Sequence, residues 1–138
     1  MRELVVNTGP IIALVAATGS LDFLPGLYRK VWIPHEVMSE IAAGGAGNPE
    51  ALALHAAGHT VHTTQPATTI SLALLHELDP GEASVIHTAI THRIPTVAID
   101  EKAGRRIARL HGLQVTGSLG ILIKAKEHGI IDSLSDSI

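Results

Sequence analysis

A chain of 138 residues with ten Lys+Arg against 13 Asp+Glu carries a formal charge of -3, so it has no global cationic field, and a nucleic-acid contact needs a local patch. Zero cysteines exclude disulfides, thiolate nucleophiles and Cys-type zinc sites, which suits a reducing cytoplasm. One Phe, one Tyr and one Trp, at positions 23, 28 and 32, exclude a surface that stacks successive bases on rings, and 46% apolar against 17% charged residues hints at a buried homo-oligomer interface.

The length predicts one domain, 1–138, with a core of its own. The longest apolar run, Ile11 to Ala17, is far below the ~20 residues of a membrane-spanning helix, so no membrane association is expected. Arg2 offset by Glu3, and Asn7-Thr8-Gly9-Pro10 interrupting the apolar stretch, make the N-terminus read as mature structure rather than a signal peptide.

Short β-like runs alternate with helical ones, which predicts βα units and a mainly parallel sheet covered on both faces, an α/β class. Leu4 to Val6 reads as a buried strand, and Pro10 sits in the first turn of a helix running to about Ala17. Ser20 is the expected cap of a short helix from Leu21, and Val31 to Ile33 the second strand. Pro34 opens a helix whose apolar Val37, Met38 and Ile41 share a face, with Glu36 and Glu40 on a neighbouring stripe. After the glycine-rich 44–48, a helix spans about Pro49 to Ala57 and a third strand His59 to Thr63. Ile70 to Leu78 reads as helical, Asp79-Pro80-Gly81-Glu82 opens a helix to about His92, and Thr96 to Ile99 is a strand. A helix follows Asp100 as far as His111, Leu113 to Val115 is the last strand, and Ser118 is the expected cap of a helix over Leu119 to His128.

In an open parallel sheet, ligands sit beyond the carboxyl ends of the strands. The polar residues there are Asn7, Asp100 and Thr116-Gly117-Ser118, and two helix carboxylates, Glu40 and Glu82, can join them. Each has a plainer reading. Asn7 and Asp100 can cap the helices after them, Glu82 can form a capping box with Asp79, and Glu40 can sit on a solvated face. The case for a site rests on the set.

Val5-Val6-Asn7-Thr8-Gly9-Pro10-Ile11-Ile12-Ala13-Leu14, Val31-Trp32-Ile33-Pro34 with Val37-Met38-Ser39-Glu40-Ile41, Leu78-Asp79-Pro80-Gly81-Glu82-Ala83, Ile99-Asp100-Glu101 with Ala103-Gly104-Arg105-Arg106, and Gly117-Ser118-Leu119-Gly120-Ile121-Leu122 occur in that order. The chain so read resembles small prokaryotic PIN-domain proteins over nearly its whole length, and within them VapC-like toxins and their uncharacterised relatives. The resemblance implies a three-layer α/β/α sandwich and a metal-dependent ribonuclease using Mg or Mn. It also implies RNA as substrate, a cytoplasmic homodimer, and a small antitoxin covering the acidic cleft with an Arg or Lys. Residue by residue, the family's four acidic positions fall on Asn7, Glu40, Glu82 and Asp100. Asn7 stands where the family usually has aspartate, and Thr116, Gly117 and Ser118 stand where many members have a further acid. That leaves three carboxylates and one neutral oxygen ligand, with Ser118 able to meet a water or a phosphate. Hard divalent ions prefer such oxygen donors, and fewer charges mean weaker binding. A catalytically silent module that binds RNA or a protein partner is the alternative that Asn7 favours.

Lys102, Arg105, Arg106 and Arg109 fall at i, i+3, i+4 and i+7 on the helix after Asp100, one stripe that suits an RNA phosphate backbone as well as it suits plain solvation. Nine histidines include the pairs His55 with His59 and His59 with His62 at metal-like spacing, but scattered surface histidines are the stronger reading. No Gly-x-Ser-x-Gly elbow and no lysine-bearing phosphate loop is present.

Overall fold

The computed structural model describes residues 2–45, 47–58, 60–67 and 69–131. Five parallel strands form one sheet in the order β3-β2-β1-β4-β5, with β1 Glu3–Val6, β2 Lys30–Ile33, β3 Val61–Thr63, β4 Thr96–Ala98 and β5 Gln114–Thr116. The helices between them are α1 Thr8–Thr18, α2 His35–Ala43, α3 Pro49–Ala56, α4 Leu72–Glu77, α5 Pro80–Thr91, α6 Lys102–Leu110 and α7 Ser118–Glu127. Helix α1 packs with α3 and α7, while α5 packs with α2, α4 and α6 and lies on β1 and β4. The parallel sheet covered on both faces that the alternation predicts, and the α/β/α sandwich that the resemblance implies, are the observed architecture.

The central strands are short apolar runs because both of their faces are covered, which removes the alternation of a half-wet strand. Leu4, Val5 and Val6 of β1, and Val97 and Ala98 of β4, are each 0% exposed. Several helix starts are fixed locally. Asn48 Oδ1 accepts from the Ala51 amide at 2.7 Å, Ser71 Oγ from the Ala73 amide at 3.2 Å, and Asp79 Oδ1 from the Glu82 amide at 2.8 Å. Pro49 and Pro80 follow two of these caps, where a missing amide costs nothing. At the other end of α1, Gly19 takes φ 77° and returns its amide to the Val15 carbonyl at 2.7 Å, a left-handed stop that a side chain would oppose.

Three local expectations change. The helix expected from Leu21 is a turn followed by a single 3-10 turn, Leu24–Gly26. Ser20 Oγ accepts from the Asp22 amide at 2.9 Å, a local turn bond that competes with helix at the start of this segment. Asp100 does not cap α6, whose cap position is Glu101. Ser118 is not the cap of α7 but its first residue, with Gly117 at the cap. The third strand covers Val61–Thr63, and His59, with both histidine pairs that include it, lies outside the described residues.

Because β1 is paired on both sides and fully covered, Leu4→Ala is expected to cost about 2–5 kcal/mol. Urea denaturation followed by circular dichroism measures it, and a loss under about 1 kcal/mol would contradict the packing described.

Candidate metal centre

Parallel pairing brings the carboxyl ends of all five strands to one edge of the sheet, and the expected residues gather there. Asn7 follows β1 directly. Its amide donates to the Ala98 carbonyl at 3.0 Å, extending the β1–β4 ladder by one bond, and its backbone is extended at the cap position of α1. The side chain nonetheless makes no cap bond. Asn7 is 4% exposed, and its Oδ1 is buried with no hydrogen-bond partner. Capping, the plain reading of this residue, is not what its side chain does.

Glu82 lies in the first turn of α5, where Asp79 fixes its amide. It is 7% exposed, and its Oε2 is a second buried oxygen without a partner. Glu40, on α2, is exposed, and its Oε2 accepts from Thr8 Oγ1 at 2.9 Å. Asp100, also exposed, accepts the Ser118 amide on Oδ1 at 2.8 Å, so a carboxylate 18 residues away satisfies the start of α7.

Each of the three carboxylates lies against a glycine. A β-carbon on Gly81 would stand 2.6 Å from Glu40 Oε2 and 3.5 Å from Asn7 Oδ1, one on Gly104 2.7 Å from Glu82 Oε2, and one on Gly117 2.7 Å from Asp100 Oδ1. A methyl at those positions would have to push the carboxylate ends aside, so the glycines set how closely the acids lie to the backbone. The Gly81 contacts also bring Glu40 and Asn7 to the same small volume. Arg105 enters from the other side: its Nη1 donates to the Ile99 carbonyl at 2.9 Å and would stand 2.9 Å from a Gly117 β-carbon. Arg105 is thus turned towards the strand ends, while Lys102, Arg106 and Arg109 are exposed and Arg106 reaches Glu77 at 3.4 Å.

The donor set is all oxygen, three carboxylates and a carboxamide, which is the chemistry that Mg or Mn takes. Two of those oxygens are buried without a donor, and a cation removes that cost where no N–H or O–H does. Among the described residues no three His, Asp or Glu side chains stand close enough to enclose an ion by themselves. The residues fit a divalent cation on their chemistry and on the two unpartnered oxygens.

Burial pushes the Glu82 carboxyl up from 4.5 to about 7, with the neighbouring Asp79 carboxylate adding to the rise. A carboxyl raised on folding holds more protons in the native than in the unfolded state between those two values. Stability without metal therefore falls as pH rises from about 4.5 to about 7 and stays low above it.

The sequence pointed to Asn7, Glu40, Glu82 and Asp100, and to Gly117 at a strand end, but not to the parts played by Thr8 and by Gly81, Gly104 and Gly117 as close neighbours of the acids. Their signal was adjacency: Thr8 next to Asn7, and a glycine next to Glu82 or two residues before Arg106. Which acid each glycine receives depends on packing across the chain.

Glu82→Gln should raise the melting temperature of the metal-free protein at pH 8 and flatten its fall between pH 5 and 7. Thermal scans in chelator across that range test this, and an unchanged pH profile would contradict the buried carboxyl. Gly104→Ala should cost about 1–3 kcal/mol, because it meets buried Glu82 and an Ile99 methyl at 2.9 Å. Gly81→Ala displaces only the exposed end of Glu40 and should leave the melting temperature nearly unchanged while weakening manganese binding, read by calorimetry.

The PIN-domain family model matches residues 3–138 of the chain. Among solved structures, a PilT N-terminus domain protein from the archaeon Sulfolobus solfataricus superposes with a TM-score of 0.59 at 14% identity, covering 92% of this chain and 96% of that one. No curated protein matches. The likeness in structure speaks for the fold, and the family match spans all five strands and Asn7, Glu40, Glu82 and Asp100. The chain belongs to the PIN-domain family, whose superfamily consists generally of nucleases.

Proposed function

We propose that this chain is a metal-dependent ribonuclease that hydrolyses phosphodiester bonds, with Mg or Mn held by Asn7, Glu40, Glu82 and Asp100. The observation that carries the reading is the pair of buried oxygens, Asn7 Oδ1 and Glu82 Oε2, that find no donor among the described residues. A divalent cation bound there supplies charge neutralisation, an activated water and stabilisation of the leaving oxygen.

The chain's own residues do the positioning. The Thr8 hydroxyl holds Glu40 by one oxygen, and the Ser118 amide holds Asp100 by one oxygen. Arg105, anchored on the Ile99 carbonyl, brings a guanidinium beside Asp100 where a phosphate would carry its charge. Asp100, Lys102, Arg105, Arg106 and Arg109 line one groove along α6, so cations lead from the carboxylate towards solvent. This is the local patch that an acidic protein needs to hold a polyanion. Ser118, half-buried at the start of α7, faces the same end of the sheet with its amide already committed to Asp100.

A role as the toxin of a toxin-antitoxin pair, acting as a homodimer in the cytoplasm, extends this reading. The partly apolar surface supports a partner: Ile12, Leu119 and Ile123 of α1 and α7 are 44%, 58% and 40% exposed. No helix among the described residues is long and apolar enough to cross a membrane.

The second reading is a silent module that binds RNA or a protein without cutting. Asn7 supports it, since a carboxamide holds a cation less tightly than a carboxylate, and so does the lack of three converging acids. Purified protein on a mixed-sequence RNA, titrated with manganese and magnesium, separates the two. The ribonuclease reading expects metal-dependent cleavage that is lost in Asp100→Asn and needs less metal in Asn7→Asp. Wild type as inert as Asp100→Asn, with cleavage appearing only in Asn7→Asp, would overturn it in favour of the silent module.

A further inference from the structure

A second pocket lies away from the carboxylates, beside β2, β3 and the carboxyl-terminal half of α5. Along β2, Val31 and Ile33 enter the core while Trp32 alternates to the other face and stays half-exposed. Trp32 pairs in register with His62 of β3. Its Nε1 donates to Glu3 Oε1 at 2.8 Å, which fixes the plane of the indole. Two imidazoles lean on that ring: His92 at 4.7 Å between centroids with a 30° tilt, and His62 at 5.6 Å with a 35° tilt. Lys30 Nζ stands 4.3 Å from the ring centroid. The pocket itself is lined by Trp32, Thr64, Gln65, His87, Thr91 and His92 among others; Lys30 and His62 border the indole beside it, and the Glu3 and Glu36 carboxylates at its edge are engaged by Trp32 Nε1 and the Ala67 amide.

This is an unusual surface for a chain of net negative charge. It offers one fixed aromatic plane, two exposed flat rings that a third flat ring can stack on or replace, a cation, and several neutral hydrogen-bonding groups. Stacking with polar groups around it is how a single base is held, and a lysine with imidazoles suits the phosphate attached to it. An acidic peptide would find no aliphatic floor here, and a metal ion no set of three converging ligands.

We infer that this pocket binds one nucleotide unit, its base against Trp32 and its phosphate towards Lys30 and the histidines. The source is either a free nucleotide or one residue of an RNA strand. Helix α5 connects the pocket to the metal centre: His87 and His92 lie five and ten residues after Glu82, ~7.5 and ~15 Å along the axis at the rise of an α-helix. If the strand is the source, the inference rests on the ribonuclease reading, and the pocket holds a base upstream or downstream of the cut. If a free nucleotide is the source, it stands without that reading.

The single tryptophan makes the test direct, because all indole emission comes from Trp32. Fluorescence is titrated in chelator, so that the carboxylates are out of play, with adenosine and uridine monophosphates, ribose 5-phosphate, inorganic phosphate and a short single-stranded RNA. Saturable quenching is expected from the monophosphates and not from ribose 5-phosphate or phosphate. His92→Ala and His62→Ala, both at exposed positions, should each weaken it at least about fivefold, the lower end for a stacked ring, with the melting temperature unchanged. RNA binding more tightly than either monophosphate assigns the pocket to a strand, and the reverse order to a free nucleotide. No saturable response to any probe by about 10 mM, the same response to phosphate alone, or a response unaltered in both histidine variants would each overturn the inference.

Discussion

Strand β1 is the member on which the rest depends, because it is the middle strand of the five and joins the β2–β3 half of the sheet to the β4–β5 half. Its three apolar residues are fully buried, so its position is fixed by packing as well as by pairing. The next residue, Asn7, inherits that rigidity through its amide bond to Ala98. That bond fixes where the asparagine stands, and its Oδ1 is buried without a partner among the described residues. A buried polar atom without a partner costs about 1–3 kcal/mol. Two of the three such atoms among the described residues, on Asn7 and Glu82, lie at the carboxyl edge of the sheet, where a cation would remove that cost; the third is Thr96 Oγ1 at the start of β4.

The charges around them follow the same logic. Thr8 and the Ser118 amide each neutralise part of an exposed carboxylate, whereas Glu82 is left to burial and to the Asp79 carboxylate, and both raise its affinity for a proton. A proton and a divalent cation compete for that site. Three glycines let the acids approach the backbone more closely than any side chain would allow. Small residues here are therefore part of the site and not only of the turns.

Most of the architecture was legible in the sequence, because strand runs such as Leu4 to Val6 and openings such as Asp79-Pro80 carry local signals that tertiary packing did not override. Asn7 and Asp100 were legible as polar residues at strand ends, and Glu40 and Glu82 as helix carboxylates able to join them, with the resemblance to PIN domains selecting all four. What failed were assignments in which a near partner loses to a distant one. Asp100 looks like a cap for the helix that follows it, yet its oxygen goes to Ser118, and Ser118 looks like a cap but supplies the amide that needs capping. Arg105 shares a stripe with Lys102 and Arg109, but only Arg105 bends back to the Ile99 carbonyl. The Trp32 pocket draws on β2, β3 and α5, and no spacing along the chain predicts that those three meet.

The central claim is that the unpartnered oxygens of Asn7 and Glu82 belong to one cation. Crystals soaked in manganese and measured at its absorption edge locate that ion directly by anomalous scattering. The account predicts a peak within about 2.0–2.6 Å of Asn7 Oδ1 and of a Glu82 oxygen, with Glu40 or Asp100 drawn towards it. A peak elsewhere, or none at millimolar manganese in crystals that keep this edge of the sheet open, would contradict it.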